Sequence, residues 1–274
     1  MDKLIITVAP TGSIPTRKMT PHVPITPEEI IEDGMRCRDA GAAVIHIHAR
    51  NPADESASPE YAIFEAIYQG LKEKTDLILQ ISTGGRAGMT YALRSERLKL
   101  CPEMASLTTG SVNFPTTVYE NSPDLIDALA GDMLKYGIKP EMEIFDTSMI
   151  HNALDLFNRG LAKAPLHFDF VMGLKGAIPA TIQNLVHLRS SIPPDATWTV
   201  AGMGPAQLLM GTHAILMGGH VRVGLEDNIY YRRGEKATNP QLVERMMRLA
   251  HELGREVANP DEARRILNLP EPRQ

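Results

Sequence analysis

Cysteine is nearly absent: Cys37 and Cys101 are the only two among 274 residues, and no CxxC occurs. That excludes a disulfide framework or a cysteine-based zinc site, and it makes a reducing cytoplasm the expected location. Aromatic residues are scarce at 5%, so stacking platforms for single-stranded nucleic acid are not expected. Neither sign of charge dominates, with 28 basic and 33 acidic residues giving a net charge of −5. Nothing electrostatic therefore calls for nucleic acid or an anionic membrane as partner. No run approaches the ~20 apolar residues that span a bilayer, and the opening Met1–Val8 is too short and too acidic for a signal peptide. What remains is an ordinary globular composition, 43% hydrophobic and 22% charged. No linker, repeat or low-complexity tract divides the chain, so one domain over residues 1–274 is expected.

Eight short β-rich runs alternate with helix-period stretches: Leu4–Ala9, Ala43–His48, Leu77–Ile81, Ala105–Leu107, Glu141–Phe145, His167–Met172, Thr197–Ala201 and His220–Val223. Their apolar content reads as nearly continuous, as in parallel strands covered on both faces. Thr26-Pro27-Glu28-Glu29 has the form of a helix start, a capping residue with proline at the first helical position. Ser58-Pro59-Glu60 and Ser122-Pro123-Asp124 repeat it, and Gly41 can stop the first helix in the left-handed conformation. Eight strands with helical crossovers in roughly 250 residues match an α/β (β/α)₈ TIM barrel. A doubly wound open sheet shares that periodicity and is the alternative. The tail forms a C-terminal helical extension, Pro240–Leu253 and Pro260–Leu267, expected to cover the barrel exterior or join a subunit interface.

Function in a barrel collects at the C-terminal strand ends, and the unusual polar residues fall there. His46 and His48 are two apart on one strand and so point the same way. Paired imidazoles suit zinc, and a pair of core histidines bonded to backbone is the alternative. Barrel closure brings the eighth strand beside the first, so Glu226, after Arg222, is a candidate third ligand; a solvated acidic loop is the alternative. Ser82, Thr83, Gly84, Gly85 and Arg86 form a small-residue turn whose N–H groups can face an anion, or a plain flexible turn. Thr108–Phe114, with Ser111 and Asn113, is rich in hydroxyls and amide. In Glu141-Met142-Glu143 one carboxylate is expected to face the interior and to need a partner. His22, His151, His167, His187, His213 and His251 read as structural or surface residues.

In order, Thr11-Gly12, Thr16-Arg17, Pro24–Glu29, His46-Ile47-His48-Ala49-Arg50, Ser82–Gly85, Gly110–Phe114, Pro140–Glu143 and Arg222–Asn228 resemble the beta-keto acid cleavage enzymes. The resemblance runs from the first strand to the last. It implies a (β/α)₈ barrel assembled as a homotetramer, with zinc on His46, His48 and Glu226. It further implies acetyl-CoA as co-substrate and a β-keto acid as substrate, giving acetoacetate and a new acyl-CoA. Asp227 would be the base, oriented by Arg222, with Ser82 and Glu143 beside it and Thr83, Gly85, Ser111 and Asn113 binding substrate. Ile14 stands where members acting on an amino-substituted substrate carry Glu, so a neutral or anionic side chain is expected. The competing readings are a metal-dependent hydrolase of amidohydrolase type and a metal-dependent aldolase. The first is disfavoured because its HxH would follow the first strand, whereas here Leu4–Ala9 precedes it.

Overall fold

A computed structural model describes residues 2–85 and 89–269; Arg86 lies outside the described residues. Eight parallel strands close into a barrel: β1 (Ile6–Val8), β2 (Val44–Ile47), β3 (Ile78–Ile81), β4 (Met104–Thr108), β5 (Lys139–Ile144), β6 (His167–Met172), β7 (Thr197–Gly202) and β8 (His220–Val223). Each pairs with its neighbours in sequence, and β8 closes the ring onto β1 with Thr7 opposite Arg222. All eight runs read from the sequence are therefore barrel strands, and the sheet is closed rather than open.

Helices α1 (Pro27–Asp39), α2 (Tyr61–Lys74), α3 (Tyr91–Ser95), α4 (Pro123–Tyr136), α5 (Ser148–Asn158), α6 (Ile182–Ser191) and α7 (Ala206–Met217) connect the strands. In α1 the Thr26 side chain accepts from the Glu29 N–H and Glu29 returns the bond, a complete capping box. Its buried Ile30, Asp33, Gly34 and Cys37 follow helical spacing and face the barrel. One expected start is displaced. Ser58 does not cap α2; its hydroxyl accepts from the Glu60 N–H at 3.2 Å in a preceding turn, and Glu60, in extended backbone, takes the N-cap position. No helix among the described residues is long and apolar enough to cross a membrane.

The tail divides. In α8 (Asn239–Glu252), Leu242, Val243, Met246 and Ala250 cover the barrel exterior against β1 and β8, as expected. The helix α9 (Pro260–Ile266) instead turns under the barrel. A parallel bridge of Val257 to Leu4 carries the chain there. Ala263 and Leu267 then pack on Ile5, Val44, Ile78 and Met104, plugging the end opposite the site. Above that plug the barrel core is polar, contrary to the continuous apolar strands read from the sequence. Buried Thr7, His46, Gln80, Ser106, Glu141, His167, Asp169, Thr199 and Arg222 lie among outward-facing Ile, Val, Leu and Phe. Barrel interiors are usually layered with branched aliphatics, so this polarity needs a chemical reason.

Candidate active site

His46 and His48 leave the end of β2 on the same side, and Glu226 comes over from the loop after β8. Their ligand atoms lie within 4.8 Å of one another, the one such group of His, Cys, Asp or Glu among the described residues. The Glu226 Oε1 is 3.4 Å from His48 Nε2 and 3.9 Å from His46 Nε2. Register explains how β2 is prepared: His46 sits opposite Gln80 on β3, and His46 Nδ1 donates to the Gln80 Oε1 at 2.5 Å. That bond places the ring proton on Nδ1 and leaves the Nε2 lone pair bare and aimed at the mouth. Nε2 of His46 and Oε2 of Glu226 are both buried without a hydrogen-bond partner. Burial, reinforced by the Arg222 charge, pushes the His46 imidazole down to about 4 and so keeps it neutral. Two imidazoles and one carboxylate with an open side are a donor set for zinc.

Arg222, 4% exposed at its side chain, organises the carboxylates. Its Nε and Nη2 donate to the two oxygens of Asp227 at 2.9 and 3.0 Å, and Nη2 also donates to Glu226 Oε1 at 2.7 Å. This forked pairing fixes the plane of the Asp227 carboxylate. Burial raises the Asp227 carboxyl to about 6, against the opposing pull of Arg222. Glu226 goes the other way: burial alone would raise it, but His48, Arg222 and His46 together hold it below the usual carboxylate range. Both carboxylates of Glu141-Met142-Glu143 face the interior, where only one was expected. Glu141 accepts from His167 Nε2 at 3.0 Å, a structural pair. Glu143 accepts from the Thr108 hydroxyl at 2.5 Å, its other oxygen lies 3.7 Å from Arg222 Nη1, and burial raises its carboxyl.

The turn after β3 is pinned. Arg97 Nη1 donates to the Ser82 carbonyl at 2.9 Å and Arg94 Nε to the Thr83 carbonyl at 2.7 Å, both arginines being buried. The Thr83 hydroxyl is occupied by the Ser106 carbonyl at 2.6 Å, while Ser82 Oγ accepts from the Gly84 N–H at 3.1 Å. A Cβ on Gly84 would stand tightly against Ser82 Oγ at 3.1 Å and the Tyr119 hydroxyl at 3.2 Å, and in ordinary contact with His48 Cε1 at 3.9 Å. The turn therefore abuts the histidine pair. Gly85 is half-buried, and a Cβ on it would press on Met89 and Arg94. Ser111 and Asn113 are exposed on the loop after β4, where the Ser111 hydroxyl accepts from the Asn121 N–H at 2.9 Å. Ile14 is 63% exposed on the loop after β1.

Sequence reasoning missed three residues that complete this arrangement, and it read a fourth, Thr108, only as part of a hydroxyl-rich loop. Gln80 orients His46; Thr108 holds Glu143; Tyr119 bonds Thr108 at 3.0 Å; and Asp169 lies 3.5 Å from Arg222 Nη1. Strand parity would have found Gln80 and Asp169, each on the inward side of a strand already identified, whereas Thr108 lies one residue past the end of the run read as the fourth strand.

Across residues 3–269 the chain matches the family described as beta-keto acid cleavage enzyme. It is 45% identical over 272 residues to a 3-keto-5-aminohexanoate cleavage enzyme of Acetoanaerobium sticklandii, covering 98% of this chain and 99% of the relative. It is 46% identical over 271 residues to a 3-oxoadipate:acetyl-CoA acetyltransferase of Cupriavidus necator, covering 97% and 95%. Among solved structures, apo ObcA superposes with a TM-score of 0.78 at 24% identity over 91% of this chain. The chain spans 66% of the length of ObcA, and that likeness concerns the fold alone.

Proposed function

The chain belongs to the beta-keto acid cleavage enzyme family, and on that premise we propose that it exchanges acyl groups between a β-keto acid and acetyl-CoA. An R–CO–CH₂–COO⁻ substrate and acetyl-CoA give acetoacetate and R–CO–CoA, so every atom of the two reactants is retained. The observation that carries the reading is the pair of bare, buried ligand atoms on His46 and Glu226, facing His48 beside an Arg222-clamped Asp227. The names of the relatives supply the acetyl-CoA and the keto acid. They favour acyl transfer over hydrolysis or a CoA-independent aldol cleavage.

His46, His48 and Glu226 would hold a zinc ion, which would supply Lewis acidity to a bound keto acid. Asp227 is the base that removes a proton from C2, and its burial suits it to that exchange near neutral pH. Arg222 keeps the base in one orientation and balances the charge of its carboxylate form. Ser82 Oγ and Glu143 line the same mouth; the hydroxyl can donate to a developing oxyanion, where the largest catalytic contribution usually lies. Thr83 and Gly85 shape the turn, and Ser111, Asn113 and Ile14 stand farther out, where a substrate side chain would emerge.

The test is the zinc-loaded protein with acetyl-CoA and a panel of β-keto acids, following acetoacetate. Turnover that requires acetyl-CoA supports the reading; no acetoacetate from any of them overturns it. We also propose a cytoplasmic homotetramer. Ile182 and Val186 on α6 and Leu208, Leu209 and Leu216 on α7 form an exposed apolar surface that suits contact between copies. Light scattering reads the assembly directly, and a monomer at working concentration would refute it.

A further inference from the structure

We infer that Asp169 is a positioning residue for this reaction, bracing the inner side of Arg222 so that the guanidinium's other edge meets Asp227 and Glu226. The inference rests on the acyl-transfer reading above. Its starting point is register. Asp169, in the middle of β6, stands opposite Glu143 on β5 and Thr199 on β7, so its side chain shares the barrel interior with them. It is 0% exposed, and neither carboxylate oxygen has a hydrogen-bond partner. Its charged contact is Arg222 Nη1, 3.5 Å from Oδ2.

A carboxyl so placed is a poor choice for stability. An interior polar group without a hydrogen bond costs more than the aliphatic side chain that usually fills a barrel layer. The geometry of Arg222 supplies a reason for it. The Nε and Nη2 edge is saturated by Asp227 and Glu226, while Nη1 makes no hydrogen bond. Nη1 lies instead between Asp169 at 3.5 Å and Glu143 Oε1 at 3.7 Å. The planar guanidinium is thus balanced from two sides at its inner end. Without Asp169 the pull on Nη1 comes from Glu143 alone, and a rigid fork cannot swing toward Glu143 at one end without changing its bonds to Asp227 at the other. Burial, and then the neighbouring Glu141 charge, push the Asp169 carboxyl well above its ordinary value. In either protonation state the carboxyl presents an oxygen to Nη1, so asparagine should replace it and an apolar residue should not.

The experiment compares Asp169→Asn, Asp169→Leu and Asp169→Ala with the wild type, all zinc-loaded, using 3-oxoadipate and acetyl-CoA. Two readouts are taken: steady-state kcat and KM, and deuterium exchange at C2 of the keto acid without acetyl-CoA. Asp169→Leu should lose at least tenfold in kcat and in exchange rate, with KM changed less than threefold, full zinc content and no loss of thermal stability. Asp169→Asn should stay within threefold of the wild type in both readouts. Wild-type kcat in Asp169→Leu overturns the inference, and so does an Asp169→Asn variant as impaired as Asp169→Leu. If Asp169→Ala or Asp169→Leu does not fold, the asparagine variant still decides, because a tenfold loss there is incompatible with a bracing oxygen. A wild type that exchanges the C2 proton yet forms no acetoacetate would remove the acyl-transfer reading and leave Asp169 testable by exchange.

Discussion

Gly12 offers a sharp perturbation of the proposed metal site, because it touches Glu226 without being a ligand. Its φ is +56°, in the left-handed region, and a Cβ built there would stand 2.4 Å from Glu226 Cγ and 2.9 Å from Glu226 Cβ. Carbon atoms settle at about 3.5–4.0 Å, so Gly12→Ala must separate the two by about 1 Å or more. Neither side yields easily. Arg50 Nη1 donates to the carbonyls of Thr11 and Gly12 at 3.3 and 3.2 Å, and the Glu226 N–H donates to Ala9 at 3.1 Å. The movement therefore falls on the Glu226 carboxylate. Metal sites tolerate about 0.2 Å in ligand distance, and displacing a supporting group typically costs about 10–100-fold in metal affinity.

The left-handed backbone adds about 1–2 kcal/mol of strain for alanine, which lowers global stability. These two effects are separable. Urea unfolding of the metal-free protein reads the strain. Competition with a chromophoric zinc chelator reads affinity on the folded protein. The expected outcome is both: a stability loss of that size and a zinc affinity at least tenfold weaker. Zinc affinity within twofold of wild type, in a variant that shows the strain, would refute Glu226 as a ligand.

Replacing His46 or His48 with Ala should reduce bound zinc to well below one per chain and abolish turnover while far-UV circular dichroism stays native; full occupancy in the double variant contradicts the site. Asp227→Asn should retain zinc and lose about 10²–10⁴-fold in rate, since the amide cannot accept the proton; normal turnover there with a dead Glu143→Gln would move the base to Glu143. Lys139 has its ammonium pushed from 10.5 down to about 8 by burial, with the Pro165 carbonyl 2.7 Å away. Folding then disfavours the charged form, a cost fully present below pH 8 that disappears as pH rises through 10.5. At 1.36 kcal/mol per unit that is about 3 kcal/mol, so Lys139→Met, after losing one hydrogen bond, should gain about 1–2 kcal/mol at pH 7 and progressively less above pH 8. A pH-independent gain would refute the cause. Ile14→Glu should shift preference toward 3-keto-5-aminohexanoate by no more than about tenfold, because solvent around this exposed position screens the new pair; an unchanged ratio places Ile14 away from the substrate.

The barrel and the central site residues were legible for different reasons. Strands were legible as short β-rich runs set between helices whose starts are marked by capping residues and proline, such as Thr26-Pro27 and Ser122-Pro123. His46, His48, Arg222, Glu226 and Asp227 stood out because their types are unusual at strand ends. Closure of β8 on β1 then placed two distant segments within hydrogen-bonding reach. Rim assignments were less legible. Loops after β1, β3 and β4 carry the family's motifs, but a motif does not say which atoms are already engaged. The Thr83 hydroxyl is bound to the Ser106 carbonyl and the Ser111 hydroxyl accepts from Asn121. The tail helix α9 was placed by the Val257 bridge to Leu4, a pairing between the two ends of the chain that no local pattern announces.

The harder lesson lies in the strands themselves. In His167-Phe168-Asp169-Phe170 polar and apolar residues alternate, and such alternation is ordinarily the mark of a strand with one wet face. Here all four are buried, because the second face is the barrel lumen. Glu141-Met142-Glu143 on β5 and His220-Val221-Arg222 on β8 repeat the pattern. A helix-covered parallel strand has no solvent on either side, so a polar residue at its inward parity has to find a partner across the barrel. Glu141 finds His167, His46 finds Gln80, and Glu143 finds Thr108. Several inward atoms remain bare, Gln80 Nε2 and Glu141 Oε1 among them, and the ones that bear on the site are His46 Nε2 at the mouth and Asp169 with Arg222 Nη1 below it. A fold alone would have no use for them, so the chemistry of the site has to account for their presence.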